Sequence, residues 1–235
     1  MIALVQRWPM AVAGVFVAAV ALLGVVYAAN ADGPGGHGGP GGHGGAHGTG
    51  ASIERTETAV QFRQDMRKLW EDHITWTRLF IVSFAADLPD QEQTAGRLLQ
   101  NQVDIGNAIK PYYGDAAGSA LTQLLNEHIL GAVTLLQAAK AGDAAGFESA
   151  RTAWYANGDQ IASFLHAANP DNWPLEETQH HMTMHLDLTL QEAANRLGGN
   201  FQQDIADYDQ VHLAILEMAD FLSLGIIHQF PAQFR

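Results

Sequence analysis

The chain has 235 residues, a formal net charge of −13 and no cysteine. Its length allows one domain with a sizeable core, and its charge leaves nothing to offset phosphate repulsion, so nucleic acid is not an expected partner. The missing thiols exclude disulfides, thiolate metal sites and cysteine nucleophiles.

Arg7 precedes an uncharged apolar run over residues 11–29, about the length that crosses a bilayer. A positive flank inside and the remainder outside is the expected orientation. Two readings of residues 1–31 stand side by side. Ala29-Asn30-Ala31 has the small-x-small form of a signal-peptide cleavage site. The run is equally suited to an uncleaved single-pass anchor that ties the chain to the membrane. Both put the remainder outside the cytoplasm, in the periplasm or at the cell surface.

Residues 32–52 are a flexible Gly/His-rich linker, since DGPGGHGGPGGHGGAHGTG cannot bury enough surface to fold. His37, His43 and His47 are spaced through it. They are either incidental or a loose trap for Cu(II), Ni(II) or Zn(II), because neutral imidazoles suit those ions.

From residue 53 to 235 the pattern is helical. Helix one is expected over about Ile53–Ala86, with Leu69, His73, Thr77, Phe80 and Phe84 on one face. Asp87-Leu88-Pro89-Asp90 stops it, and Asp90 with Gln93 resembles a capping box for helix two. Helix two ends at Lys110-Pro111, and Pro111-Tyr112-Tyr113-Gly114-Asp115 reads as a turn. Helix three buries Leu121, Leu124, Leu125, His128, Ala132 and Leu135, and ends at Gly142-Asp143. Helix four carries Phe147, Trp154, Ile161 and Leu165. Pro174 opens helix five, with Glu176 and Glu177 in its first turn. Gly198-Gly199-Asn200 separates it from helix six, whose expected inner face is Ile205, Tyr208, His212, Ile215, Ala219, Leu222 and Ile226. No stretch alternates as a strand and no phosphate-binding loop is present, so the expected fold is all-α, an antiparallel bundle of about six helices.

Three histidines interrupt apolar faces on separate helices: His73, His128 and His212. Helix five adds His181 and His185, four apart and therefore on one face. A buried imidazole needs a partner, either a hydrogen bond or a metal ion. A single such histidine is usually a satisfied core residue; several on facing helices suggest a cluster. Met182 and Met184 suit a soft ion, although helical methionines are mostly core filler. The run from Gln100 to Asn107 brings amides and a carboxylate to the core side, with Gly106 allowing close helix approach. It reads as a polar network that sets register or as a small-ligand pocket. There is no Glu-x-x-His and no His-Glu-x-x-His, so a ferritin-like di-iron site and a zincin site have no support. Nor does any acid–base pairing specify a reaction.

Glu71-Asp72-His73-Ile74-Thr75-Trp76-Thr77-Arg78, the segment Arg97–Asp104, Pro111-Tyr112-Tyr113-Gly114 and Glu127-His128 carry a family resemblance. So do Trp154–Asp159, His185-Leu186, Met218-Ala219-Asp220 and Gly225–Phe230. Over residues 65–230 the chain resembles a largely uncharacterised family of bacterial all-helical proteins. The resemblance implies a helical domain and no particular activity. Some relatives carry the labels glycosyltransferase or acetylglutamate kinase, and neither has a nucleotide site to rest on here.

The expected function is therefore a non-enzymatic binding protein, exported or membrane-anchored, that holds a transition metal (Cu, Zn or Ni) or a small polar ligand. His73, His128 and His185 are the expected inner ligands. Asp104 is expected to orient an imidazole and Asn101 to join the pocket. His181 and His212 stand in reserve, and His37, His43 and His47 act as a loose antenna. The alternative is a structural or protein-interaction domain whose buried polar groups only set helix register.

Overall fold

The structure, a computed structural model, describes residues 50–235. The leader, nearly all of the linker, and His37, His43 and His47 lie outside the described residues. All elements in this region are helical: a short α1 (Gly50–Ile53), then α2 (Glu57–Ala85), α3 (Gln91–Ala141), α4 (Ala144–Ala168), α5 (Leu175–Leu197), α6 (Phe201–Gln229) and a closing 3₁₀ turn, Pro231–Phe234. No strand occurs among the described residues.

The ends follow local chemistry. Thr56 caps α2, its hydroxyl accepting from the Ala59 N–H at 3.2 Å. Asp143 caps α4 in the same way through Gly146, and Gly142, at φ 69°, ends α3 in the left-handed conformation that glycine adopts freely. The capping box expected at Asp90 does not form. That carboxylate accepts from Ser83 Oγ at 2.5 Å and makes no side-chain cap bond to α3.

The expected turn at Pro111–Asp115 is a single-residue break inside α3. Gly114, at φ 83° and ψ 168°, folds the element back on itself. The two limbs then cross so closely that a Cβ on Gly106 would lie 1.9 Å from Thr122 Oγ1 and 2.6 Å from the Gly118 carbonyl oxygen. Among the described residues the bundle is therefore built from five long elements, α2 to α6, with α3 bent double. Each element packs on its chain neighbours, and α6 returns to α2 to close the ring.

Ile74, Ile105, Ile161, Ile215, Ile226 and Ile227 are among the core residues, each no more than 1% exposed. By length and composition α6 could cross a membrane, but 56% of its most apolar stretch is buried inside the bundle, and a core helix passes the same test. Its inner face differs from expectation at the N-terminal end. Asp204 and Asp207 are buried there, while Ile205 is 58% exposed.

Candidate functional site

Five helical segments each send polar side chains to one level of the core. α2 gives His73, the first limb of α3 gives Asn101 and Gln102, its second limb gives His128, α4 gives Asn157 and α5 gives His185. All are buried, and the three histidines are between 2% and 5% exposed. The His185 ring lies 5.6 Å from the His73 ring and 6.2 Å from the His128 ring, centroid to centroid.

The amides fix the proton on two of the rings. Gln102 Nε2 lies 2.8 Å from the Leu98 carbonyl oxygen, so this atom is an N–H donor, and it faces His73 Nδ1 at 3.2 Å. His73 Nδ1 therefore carries the lone pair and Nε2 the proton. Asn101 lies beside the pair, its Oδ1 3.3 Å from Gln102 Nε2, whose two hydrogens serve the shorter contacts, and its Nδ2 donating to the Leu69 carbonyl at 3.0 Å. At the other end Asn157 Nδ2 donates to the Leu124 carbonyl at 3.2 Å, which leaves Asn157 Oδ1 facing His128 Nδ1 at 2.9 Å. His128 Nδ1 must then donate, and its Nε2 carries the lone pair. Trp154 stacks on this ring at 5.1 Å, and its indole N–H donates to the His128 carbonyl at 3.1 Å.

His185 sits between the two and differs from both, because its buried Nδ1 has no hydrogen-bond partner. Gln102 Oε1 and Thr189 Oγ1 are likewise buried without one. Burial, with some help from the charge His128 would carry, lowers the His73 pKa to about 3. Burial lowers His128 to about 4 against the pull of Asn157. His185 falls well below the usual histidine range through burial, then through its two histidine neighbours. At neutral pH the layer is three uncharged imidazoles.

The other expected residues lie elsewhere. Asp104 is half-exposed; its Oδ1 accepts from Gln100 at 3.0 Å and its nearest cation is Arg97 at 3.9 Å. The groups that orient the imidazoles are the amides of Gln102 and Asn157. His212 is half-exposed at the surface and pairs with Glu71 at 2.8 Å. His181 packs against Phe221 at 4.8 Å, outside the layer.

No family model, curated protein or solved structure matches the chain. A metal held about 2 Å from each ligating nitrogen in tetrahedral geometry puts imidazole centroids roughly 5 Å apart, and the two ring spacings, 5.6 and 6.2 Å, approach that value without reaching it. Yet among the described residues no group of three or more His, Asp or Glu side chains already stands in metal-holding geometry. Ligation by all three rings would require His73 to move its proton to Nδ1 and Gln102 to turn away from it.

A second polar cluster was not anticipated from the sequence. The Arg78 guanidinium reaches Glu192 on α5 at 2.7 Å and binds both carboxylate oxygens of Asp204 on α6. Arg196 approaches Asp204 at 3.3 Å, and the Tyr208 ring lies 5.2 Å from the Arg78 guanidinium carbon. Asp207, one turn on, accepts from Gln191, Asn195 and Gln203 at 2.7–2.8 Å. Burial raises the Glu192 pKa to about 7, with Asp204 and Asp207 adding to the effect and Arg78 opposing it. The one signal in the sequence was Arg78 itself, a cation within an otherwise apolar stretch of α2.

Proposed function

We propose that the domain is a binding protein that captures one transition-metal ion, Cu, Zn or Ni, at the histidine layer. The observation that carries this reading is His185: a buried neutral imidazole, flanked by two others, with a bare Nδ1. Buried polar atoms normally have partners, and an orphan calls for an ion or a water. The interior also narrows the ligand. Two cavities in the core, of about 30 and 20 Å³, are too small for an organic molecule but no obstacle to an ion that sits between side chains. The layer holds imidazoles and no carboxylate, which suits these borderline ions and not Mg or Ca. His128 Nε2 and His185 are the first ligands, since both have a lone pair to give, and the buried Met182 stands one turn from His185. His73 joins if its proton shifts. The leader read in residues 1–31 would place this protein outside the cytoplasm, anchored or secreted, with the linker histidines feeding the site.

The test uses the full chain without an affinity tag, with His37, His43 and His47 changed to Ala. Uptake of one Cu, Zn or Ni per chain at micromolar concentration is expected. It should be lost in His185→Ala and His128→Ala and kept in His212→Ala and His181→Ala. A folded protein that takes up none of these ions overturns the proposal.

One observation favours a second reading, a structural domain. His73 and His128 are each already bonded to an amide, as they would be if the layer only fixed helix register. That reading expects no ion uptake at all.

A further inference from the structure

One helical turn beyond the histidines the same three elements carry Thr77, Ala132 and Thr189. These residues line the larger cavity, of about 30 Å³. On this measure one water needs about 10–15 Å³, so the space matches about two waters or one diatomic molecule. Its walls are hydrocarbon, including Phe80, Ile81, Leu98, Ile129, Leu136 and Ala193. The donors of the polar lining groups are nearly all used. Thr77 Oγ1 donates to the His73 carbonyl at 2.8 Å, and Trp154 Nε1 donates to the His128 carbonyl. Thr189 Oγ1 is the exception, buried and without a partner.

A water placed here would find one free hydroxyl, where buried waters typically make about three hydrogen bonds. It would be poorly held. An apolar molecule gives up no hydrogen bonds on entering, and gains dispersion contacts with the hydrocarbon walls. We propose that this cavity is a binding site for a small apolar diatomic gas of the size of dioxygen, held by dispersion contacts with its hydrocarbon walls. The bound gas would lie one turn from the imidazoles and so beside any ion they hold. The proposal rests on the cavity and is independent of metal binding.

The experiment uses the metal-free full chain, with dioxygen itself as the probe. Methyl relaxation is measured by NMR under nitrogen and then under a few bar of oxygen. Ile81, Leu98, Ile129 and Leu136 should show an oxygen-induced enhancement several-fold above that of Ile215 and Ile227. Those two are also buried, at 0% exposure against 2% for Ile81 and Leu98, and line neither cavity, so the contrast with Ile81 and Leu98 is the closest in burial. Ala193→Val and Ala132→Val, each adding methyl groups to the space, should bring the enhancement down toward the Ile215 level. Equal enhancement at both sets of methyls in the unaltered protein overturns the proposal, and that contrast is readable even if the filled variants fail to fold.

Discussion

At one level of the bundle the buried polar groups are three neutral imidazoles held by amides. One to two turns further along α2 and α5 they are the carboxylates of Glu192, Asp204 and Asp207, with the guanidiniums of Arg78 and Arg196. The charged cluster is internally satisfied: every carboxylate has a donor, and Arg78 ties α2 to both α5 and α6. The histidine layer is not, since His185 Nδ1 and Gln102 Oε1 have no partner. A closed network has nothing left to offer a ligand, whereas an open one does. The cluster is therefore a clamp, and the layer is the place where binding can happen.

The largest effect should come from breaking the clamp. Arg78→Ala leaves Glu192 and Asp204 buried beside an incomplete set of cations, and should cost about 3–5 kcal/mol in chemical denaturation. Adding Glu192→Gln and Asp204→Asn to that variant should recover part of the loss. An Arg78→Ala protein as stable as the parent would mean that the cluster is solvated and holds nothing.

A smaller loss is expected at the histidine layer. Asn157→Leu strands the His128 Nδ1–H in the core and should cost about 1–3 kcal/mol by the same measurement. It should also free the ring to change tautomer, visible in its side-chain nitrogen shifts.

The two regions respond to acid with opposite signs. Histidines held below their unfolded value of 6.5 contribute stability that is complete above that pH and is lost as pH falls toward about 4 and 3. Each contributes a slope of up to about 1.4 kcal/mol per pH unit in that window. Glu192, raised from 4.5 to about 7, binds its proton more tightly when folded. Its contribution is therefore full below 4.5 and lost as pH rises to 7. With three histidines against one glutamate, stability should fall on acidification from pH 6.5 to 4.5. Glu192→Gln should steepen that fall, and a flat profile in both proteins would remove the claim that the imidazoles are neutral.

The smallest change is expected where function is proposed. His185→Leu replaces an imidazole with an orphan nitrogen by an apolar side chain of similar size. Stability should change by less than about 1 kcal/mol, with a gain the expected direction. A loss of several kcal/mol would show that His185 has a structural partner.

Much of this was legible in the sequence. Helices with apolar stripes, glycine at chain reversals and proline near ends placed the elements, and a histidine inside such a stripe is conspicuous. Hence His73, His128 and His185 could be named. Their orienting groups were harder, because Asn101, Gln102 and Asp104 lie within one turn and nothing local says which of them faces the neighbouring helix. The spacing sets Asp104 beside the apolar positions of its helix, but in a layer of neutral rings the amide of Gln102 fits and a carboxylate would be costly to bury. The clamp was missed for a related reason. Hydropathy prefers Ile205 to Asp204 as the buried residue on α6. The ion pair with Arg78, far away in sequence, reverses that preference and turns the isoleucine outward.

The most direct measurement of the layer is a long-range proton–nitrogen correlation spectrum of the imidazoles, recorded on the full chain at pH 7 before and after one equivalent of Zn(II). Before addition, His73 should appear as the Nε2–H tautomer, His128 as the Nδ1–H tautomer and His185 as neutral. After addition, a ring nitrogen of His185 and the His128 Nε2 should move from free to metal-bound positions. Shifts confined to the linker and surface histidines, with all three core rings unmoved, would contradict the proposed site.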